Sequence, residues 1–288
     1  MEDFTTHRPL LFSIAYRMTG SASEAEDIVQ ESYLRYRAAA PAEIRSAKAY
    51  LSTIVTRLSL DYLKSARAQR EQYIGPWLPE PLLTADADPE LAAVERRETL
   101  ATAFLVLLES LNPHERAVFL LREVFEYSYD EIGSMLGLSS ANCRQIFHRA
   151  QAHVAERRPR FEPSPAEQRR LVDRFIQACQ RGDMAALTDV LAGDVVAWSD
   201  GGGKATSALQ PVYGREKVLR FLAGLLGKAP AGLSFASALV NGAPALLLFV
   251  GDVLLYSTTL TLADGRIQAL HTVLNPDKLA YLRRQLRG

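Results

Sequence analysis

Apolar residues recur with a helical period through the first 70 residues of the chain. One face of residues 23–38 carries residues at offsets 0, 3, 4, 7 and 11, namely Ala25, Ile28, Val29, Ser32 and Tyr36. Ser23 and Glu26 have the spacing of a capping box, so a helix is predicted to begin at Ser23. The same apolar spacing returns in residues 47–69 and predicts a second long helix.

A segment of different composition follows at residues 71–98. Pro76, Pro79 and Pro81 lie within six positions of one another. Because proline lacks an N–H and restricts the residue before it, the backbone here is predicted to be extended. The segment also contains Trp77, although linkers seldom carry large apolar groups. Trp77 is therefore predicted either to pack on its own neighbours or to dock against another part of the chain.

The helical period returns after the linker and predicts four helices. The first two cover residues 91–111 and 113–125, the second with Asn112 as its N-cap. A short helix, a turn at Gly137 and a longer helix cover residues 129–157. This succession has the pattern of a helix-turn-helix.

The second helix of this pattern has a polar face that suits DNA. Apolar residues at offsets 0, 3, 4, 7 and 11 from Cys143 are predicted to face the core. The outward side chains are then Ser140, Arg144, Gln145, His148 and Arg149. Arginine and glutamine read guanine and adenine in the major groove, and hydroxyl groups hold phosphates. A helical hairpin with a solvated basic face would look the same, but Arg157, Arg158 and Arg160 follow and favour DNA binding.

Beyond residue 165 the pattern changes from helices alone to helices and strands. Helices are predicted at residues 166–181, 183–191, 215–226 and 276–287, the last capped by Asn275. Strands are predicted at residues 195–199, 233–240, 245–250, 254–262 and 267–274. The turns Asn241-Gly242 and Asp264-Gly265 are hairpin signals. The sequence therefore predicts an α+β domain with a curved antiparallel sheet.

Composition and charge exclude several classes of protein. The chain has 288 residues, of which 48% are hydrophobic, and this suits two or three domains. Its 33 basic and 33 acidic residues cancel, yet residues 139–160 are basic and residues 71–98 are acidic. Cys143 and Cys179 lie in different segments, which excludes a disulfide framework and a cysteine-based zinc site. Without a signal-peptide pattern or a long apolar run, a cytoplasmic protein with no membrane span, metal or cofactor is predicted.

Two stretches of the helical half resemble bacterial extracytoplasmic-function (ECF) sigma factors. Residues 27–35 (DIVQESYLR) resemble the D-x-V-Q-E-x-F-L-R stretch of sigma region 2, and residues 49–64 resemble the A-W-L-x-T-I-A-x-N and D-x-L-R pattern that follows it. Residues 111–122 and 129–133 resemble sigma region 4. Arg57 stands where asparagine is commoner in the family, and Cys143 stands where valine is. Neither departure removes a charge that DNA binding needs.

Three further motifs resemble the sigma J subgroup of this family, in which a SnoaL-like domain follows region 4. They are WLPEP at residues 77–81, DGGGK at residues 200–204 and NPDKL at residues 275–279. The resemblance implies a multidomain chain with two all-α sigma domains followed by an α+β SnoaL-like cone. Region 2 would cover residues 1–70, the linker 71–98, region 4 with its helix-turn-helix 99–158, and the SnoaL-like domain 165–288.

The resemblance also implies roles for these residues in a non-enzymatic protein that binds RNA polymerase core and promoter DNA. The polymerase-core face would be Asp27, Gln30, Glu31, Leu34 and Arg35. The −10 element would be held as single strands by the loop of residues 39–48 and by Arg57, Lys64, Arg67 and Arg70. The −35 duplex would be read by the five outward residues of the helix that begins near Ser140. Regulatory contacts between the linker and the last domain would involve Trp77, Leu78, Pro79, Asp200, Lys204, Asp277 and Lys278.

Two other functions remain open from the residues alone. The chain could be a helix-turn-helix transcription regulator whose SnoaL-like cone binds an unknown small-molecule ligand. It could also be a SnoaL-class enzyme with a DNA-binding appendage, for which Asp200, Lys204, Asp252 and His271 are the candidate catalytic groups. The DGGGK turn lacks the G-x-x-x-x-G-K-[ST] pattern of a phosphate loop, so it does not predict nucleotide binding.

Overall fold

A computed structural model describes residues 2–39, 44, 46–84, 101–155, 165–227 and 232–287. By their packing these residues divide into two units. The first unit contains residues 2–72 and 104–155, and the second contains residues 73–84, 101–103 and 165–287. The N-terminal helices and the helix-turn-helix therefore belong to one unit, while residues 73–84 of the linker belong with the C-terminal domain.

The first unit is helical in the part of the chain that the structure describes. Its helices are α1 (Glu2–Thr19), α2 (Ala22–Ala38), α3 (Ala47–Glu71), α4 (Thr102–Leu108), α5 (Pro113–Glu123), α6 (Tyr129–Leu136) and α7 (Ser140–Ala155). Helix α1 packs against α2 and α3, and it buries Leu11, Ile14 and Tyr16 in the process. Helix α5 packs against α7, α1 and α3, so the N-terminal helices and the helix-turn-helix share a core.

The N-cap of helix α2 lies two residues earlier than the sequence pattern predicts. The predicted N-cap, Ser23, is wrong, because the Ser21 side chain accepts the hydrogen bond from the backbone N–H of Glu24 at 3.1 Å. Gly20, with φ of 69°, ends α1 in the left-handed region and leaves Ser21 as the first extended residue. The predicted core face is buried from Ala25 to Ser32, and Tyr36 is half-buried.

The helix-turn-helix forms as predicted, and local hydrogen bonds fix its ends. Asn112 caps α5 in a reciprocal capping box with Glu115, as the sequence indicates. Ser128 and Glu131 form a second capping box at α6, and Gly137 ends that helix with φ of 70°. Part of the predicted helix at 91–111, namely residues 91–100, lies outside the described residues, as do Arg157, Arg158 and Arg160.

The second unit is an α+β domain. Its elements are α8 (Pro165–Arg181), α9 (Met184–Val190), β1 (Leu191–Asp200), β2 (Val212–Tyr213), α10 (Arg215–Leu226), β3 (Leu233–Val240), β4 (Ala243–Val250), β5 (Val253–Ala263), β6 (Arg266–Val273) and α11 (Leu279–Gln285). The strands lie in the order β2-β1-β6-β5-β4-β3. Both predicted hairpin turns are present, since Asn241, Gly242, Asp264 and Gly265 all have positive φ.

The sheet differs from the predicted all-antiparallel arrangement in one strand pair. Strand β1 runs parallel to β6, with Trp198 beside His271. The chain crosses from β1 by way of α10 to the far edge at β3 and returns through three hairpins, and this path brings β6 back in the direction of β1. The final helix also starts later than predicted, at Leu279, because Asn275 accepts from the Asp277 N–H within a turn instead of capping a helix.

The two faces of the sheet have different environments. Leu171 and Phe175 of α8 and Leu187 of α9 join a hydrophobic core with Val195 and Ala197 of β1. Because side chains alternate along a strand, Trp198 and Asp200 lie on the opposite face of β1 from this core. The register with β6 places His271 on that face as well, so Trp198, Asp200 and His271 lie opposite the helical core.

Gly133 in α6 provides a test of the helix-turn-helix packing. A Cβ atom at this position would lie 2.5 Å from the carbonyl oxygen of Leu138, so we expect Gly133→Ala to destabilise the unit by about 1–3 kcal/mol. Gly224→Ala in α10 is the matched control, because its Cβ would meet nothing within 4 Å, and we expect a gain of about 0.5–1 kcal/mol. Urea unfolding followed by circular dichroism measures both, and equal midpoints would contradict the packing.

Candidate functional site

The polar face of α7 that the sequence predicts to read DNA is exposed in the structure. The residues of α7 predicted to face the core, from Cys143 to Val154, are buried. The predicted DNA-reading side chains Arg144, Gln145, His148 and Arg149 are exposed, and Ser140 is half-buried. The Arg144 guanidinium lies 5.2 Å from the centre of the Tyr129 ring. The helix therefore presents a continuous polar and basic surface to solvent.

The predicted polymerase-core residues lie along one side of α2. Asp27, Gln30, Leu34 and Arg35 are exposed, and Glu31 is half-buried. Arg35 pairs with Glu31 at 2.8 Å, one helical turn away. Leu34 keeps 54% of its surface exposed among these charged groups. An apolar side chain surrounded by charges is a surface that suits a protein partner.

The predicted −10 residues lie along α3, where the structure describes two of the four side chains. Arg57 and Lys64 are exposed, and Lys64 pairs with Asp61 at 3.0 Å. Arg67 and Arg70 belong to α3, but their side chains lie outside the described residues, as do residues 40–43 and 45 of the adjacent loop. Arg57 Nε donates a hydrogen bond to the Met135 carbonyl at 2.9 Å, and the sequence does not predict this bond.

Asp200 is the centre of the linker-docking site in the second unit. Its side chain is fully buried at the end of β1. Oδ1 accepts a hydrogen bond from the Tyr73 hydroxyl at 2.5 Å, and Oδ2 accepts from the Leu78 N–H at 2.7 Å and from Lys278 Nζ at 2.6 Å. One carboxylate thus binds two residues of the linker and the predicted lysine near the C-terminus.

Lys278 binds the linker directly as well as through Asp200. Its Nζ donates to the Leu78 carbonyl at 2.5 Å and lies 4.1 Å from the centre of the Trp77 ring and 4.8 Å from that of Tyr73. The interaction of an ammonium group with aromatic rings strengthens when the cation is shielded from water, as Lys278 is here. Trp77 therefore contacts the C-terminal domain, in agreement with the docking alternative.

The glycines of the DGGGK motif allow the linker to approach closely. A Cβ atom on Gly202 would lie 2.3 Å from Asn275 Nδ2 and 2.6 Å from the Tyr73 hydroxyl, and one on Gly203 would lie 2.8 Å from Ile74. Both glycines also have positive φ, which other residues seldom adopt. Lys204 forms an exposed ion pair with Asp277 at the rim. Gly202 and Gly203 therefore allow the linker to pack against this turn.

The linker continues beyond the WLPEP motif as an addition to the sheet edge. Leu82 and Asn241 exchange hydrogen bonds, Asn241 Oδ1 accepting from the Leu82 N–H at 2.9 Å. The Thr84 N–H donates to the Leu239 carbonyl at 2.9 Å, and Gln285 accepts from the Leu83 N–H at 2.8 Å. The sequence gives no sign of Tyr73 or Gln285 as docking residues, and it marks Asn241 as a turn residue alone.

The electrostatics of the docking site keep Tyr73 protonated. Burial, together with its hydrogen bond to Asp200, raises the pKa of the Tyr73 phenol far above its ordinary value. Tyr73 is thus a permanent donor to Asp200. Lys278 and Asp200 form a buried ion pair, and such a pair depends on both members because either charge alone would be buried without compensation.

The four candidate catalytic groups do not form a common site. Asp252 is exposed at the turn between β4 and β5, and Lys204 is exposed at the rim beside Asp277. Asp200 and His271 lie on one face of neighbouring strands, but the Asp200 oxygens are occupied by linker donors. Burial lowers the pKa of His271 to about 4, so this imidazole is neutral at physiological pH.

Within the described ranges, no cluster of three or more histidine, cysteine or acidic side chains has metal-binding geometry. Among the helices of those ranges, none combines the length and hydropathy that crossing a bilayer requires.

Comparison with known proteins identifies both helical regions. Residues 4–69 match the family model of Sigma-70 region 2, and residues 101–154 match that of Sigma-70, region 4. The ECF RNA polymerase sigma factor SigJ of Mycobacterium tuberculosis (strain ATCC 25618 / H37Rv) is 39% identical over 290 residues, which cover 96% of this chain and 92% of that protein. The crystal structure of the extracytoplasmic function sigma factor SigJ of M. tuberculosis matches 97% of this chain and 98% of its own, with a TM-score of 0.79 and 34% identity.

The buried and the exposed ion pairs of the docking site should differ in how much stability is lost when their lysine is replaced. We expect Lys278→Met to destabilise the C-terminal domain by about 3–5 kcal/mol, because Asp200 would keep a buried charge without its cation. Lys204→Met removes the exposed pair with Asp277 and should cost less than about 1 kcal/mol. Denaturant unfolding and the rate of proteolysis within residues 73–84 measure both effects. Similar losses for the two variants would refute the central role of Asp200.

His271 predicts a pH dependence for the stability of the same domain. Its pKa is about 4 in the folded chain and about 6.5 when unfolded, so between these values the unfolded chain binds a proton that the folded chain excludes. Stability is then complete above about pH 6.5 and falls by up to about 3 kcal/mol as the pH drops toward 4. Thermal unfolding across this range should show the decrease, and His271→Gln should flatten it. An equal slope in both proteins would show that another group is responsible.

Proposed function

The chain belongs to the extracytoplasmic-function RNA polymerase sigma factors, and we propose that its C-terminal SnoaL-like domain regulates initiation by binding the linker between regions 2 and 4. The observation that supports the regulatory part is the set of contacts between the linker and the C-terminal domain. Asp200 and Lys278 form hydrogen bonds and a cation–π contact with Tyr73, Trp77 and Leu78. Sigma factors bind RNA polymerase core and promoter DNA, which locates the action of this chain in the cytoplasm. Family membership also disfavours an independent helix-turn-helix regulator.

The exposed face of α7 supports reading of the −35 element. Arg144, Gln145, His148 and Arg149 project from one helix at positions that a major groove can accommodate. Each good bidentate contact between such a side chain and a base discriminates by about 1–3 kcal/mol. Contacts of Ser140 and the arginines with phosphates would make binding weaken steeply with salt. Arg57, Lys64, Arg67 and Arg70 along α3 would hold the backbone of the opened −10 element.

The side of α2 defined by Asp27, Gln30, Glu31, Leu34 and Arg35 is the proposed contact with polymerase core. Asp27 and Arg35 are exposed there, and Arg35 pairs with the half-buried Glu31 on the surface, where a partner could engage these charges. Leu34 supplies an apolar contact among these charges. Interfaces of this composition gain specificity from the charges and affinity from the buried apolar group.

The C-terminal domain supports a regulatory role better than catalysis. A general acid or base must reach substrate, but Asp200 is buried and its oxygens accept hydrogen bonds from Tyr73, Leu78 and Lys278. Of the remaining candidates, Lys204 and Asp252 are exposed at separate places, and His271 is buried and uncharged at physiological pH. The domain therefore uses its polar groups to bind its own linker.

Linker docking would restrict how far regions 2 and 4 can separate. Residues 73–103, 31 in number, join the two parts of the first unit and could extend to about 110 Å at about 3.5 Å per residue. Docking assigns residues 73–84 and 101–103 to the C-terminal unit and leaves 16 residues, 85–100, with a reach of about 55 Å. Release of the linker would thus change which promoter spacings the chain can accept.

Run-off transcription with polymerase core tests this function. We expect the full chain to direct initiation from its promoter, and Asp27→Ala with Glu31→Ala to reduce core binding at least tenfold, the effect of losing about 1.4 kcal/mol. Trp77→Ala should change transcript yield or promoter spacing preference, because the linker loses its contact with Lys278. Asp252→Ala, on an exposed turn, is the control and should leave transcription unchanged.

The two parts of the proposal fail in different ways. If the chain does not bind core or direct initiation at any promoter, the sigma role is wrong. If transcription proceeds but neither Trp77→Ala nor removal of residues 160–288 alters it, the regulatory role of the C-terminal domain is wrong.

A further inference from the structure

We propose that Tyr129 is a positioning residue for the reading of DNA: its ring holds the Arg144 guanidinium in place and so sharpens the choice of one base pair. The guanidinium carbon of Arg144 lies over this ring, 5.2 Å from its centre. Tyr129 is the first residue of α6, and Arg144 lies in the second turn of α7, so the contact joins the two helices of the helix-turn-helix. The inference rests on the proposed reading of the −35 element by α7.

The ring of Tyr129 is itself held by its neighbours. The buried Phe147 ring meets it edge-on, with ring centres 6.0 Å apart. The guanidinium carbon of Arg122 lies 4.9 Å from the centre of the Tyr129 ring, and Arg122 Nη1 donates to the Tyr127 carbonyl at 3.1 Å. Tyr129 is half-buried among these groups. A ring packed in this way cannot change rotamer without displacing them, so it is a fixed support for Arg144.

The backbone on both sides of the contact is fixed as well. Ser128 and Glu131 form the capping box that starts α6 at Tyr129. In α7, Cys143 and Phe147 are buried on either side of Arg144 in sequence and anchor the turn that carries it. The separation of ring and guanidinium is therefore set by two packed helices.

The contact leaves the hydrogen-bonding groups of Arg144 available to DNA. A guanidinium group is planar, stacks on aromatic rings through its face and carries its N–H donors at its edge. Arg144 is exposed, and no residue that the structure describes forms a hydrogen bond or an ion pair with its guanidinium. The parallel donors that bind O6 and N7 of guanine can thus reach a base while the ring supports the face of the group.

A guanidinium held in advance improves specificity more than general affinity. An unsupported arginine has many rotamers, and fixing one of them on DNA costs conformational entropy that the ring has already removed. A mobile guanidinium can also turn to phosphate, which every sequence offers. Loss of the ring should therefore weaken binding to the preferred sequence more than binding to others, and only at the base pair that Arg144 reads.

Base preferences selected from a random duplex library test the proposal. The complex of the full chain with polymerase core selects bound sequences, and Arg144→Ala identifies the base pair that Arg144 reads as the position where preference disappears. We expect Tyr129→Leu, which keeps apolar bulk but has no aromatic face, to reduce the preference at that position about threefold to fivefold. Tyr129→Phe should retain the preference, because a phenyl ring also attracts the cation.

Controls separate positioning from packing. Preferences that depend on Arg149, identified with Arg149→Ala, should be unchanged in Tyr129→Leu, whereas a merely structural role would weaken all preferences together. If Tyr129→Leu unfolds, as thermal unfolding would show, Tyr129→Met takes its place, since a thioether keeps a contact with Phe147.

The possible failures point to different errors. An unchanged preference at the Arg144 position in Tyr129→Leu, or an equal loss in Tyr129→Phe, would overturn the positioning role. Unaltered preferences in Arg144→Ala would refute base reading by Arg144 and the positioning role with it. A complex that selects no sequence at all would refute the sigma function instead.

Discussion

The fold of the C-terminal domain depends on one buried carboxylate. Asp200 is fully excluded from water, and an isolated charge in such a place would cost several kcal/mol. Its donors are Lys278 and two linker residues, Tyr73 and Leu78. If the linker leaves, the carboxylate keeps only part of its hydrogen bonds. Domain stability and linker docking are therefore thermodynamically linked, and release of the linker should destabilise the domain.

This dependence explains why the three motifs of the C-terminal half occur together. DGGGK supplies the carboxylate through Asp200 and, through Gly202 and Gly203, the room for Tyr73 and Ile74 to approach. NPDKL supplies the cation through Lys278. WLPEP supplies an aromatic ring and a backbone N–H, and its prolines keep the segment extended so that both can face one partner. Each motif provides what the other two lack.

Sequence patterns predict the local structure well, because local chemistry determines it. The Asn112 cap, the hairpin turn at Asn241 and the buried face of α7 each depend on residues a few positions apart. The parallel pairing of β1 with β6 depends on segments that are far apart in the chain, and the sequence predicts it wrongly. Periodicity cannot supply that information, since it describes one element at a time.

The same limit applies to the candidate sites. The exposed polar face of α7 follows from helical spacing alone, so the sequence predicts it residue by residue. Tyr73 has no motif of its own, and its part in the docking site emerges only when Asp200 is placed beside it. Arg57 is the reverse case. Its charge predicts a contact with DNA, but in the fold its guanidinium group donates to a backbone carbonyl of α6. The contacts of such residues depend on the tertiary structure, so the sequence around them does not predict their roles.

Linker docking and DNA binding respond differently to salt. The pairing of Lys278 with Asp200 is buried, so added salt screens it little, whereas contacts with DNA phosphates weaken steeply as salt rises. A change in ionic conditions would therefore weaken DNA binding without releasing the linker. Release of the linker must come from a partner that binds the released form more tightly than the docked form.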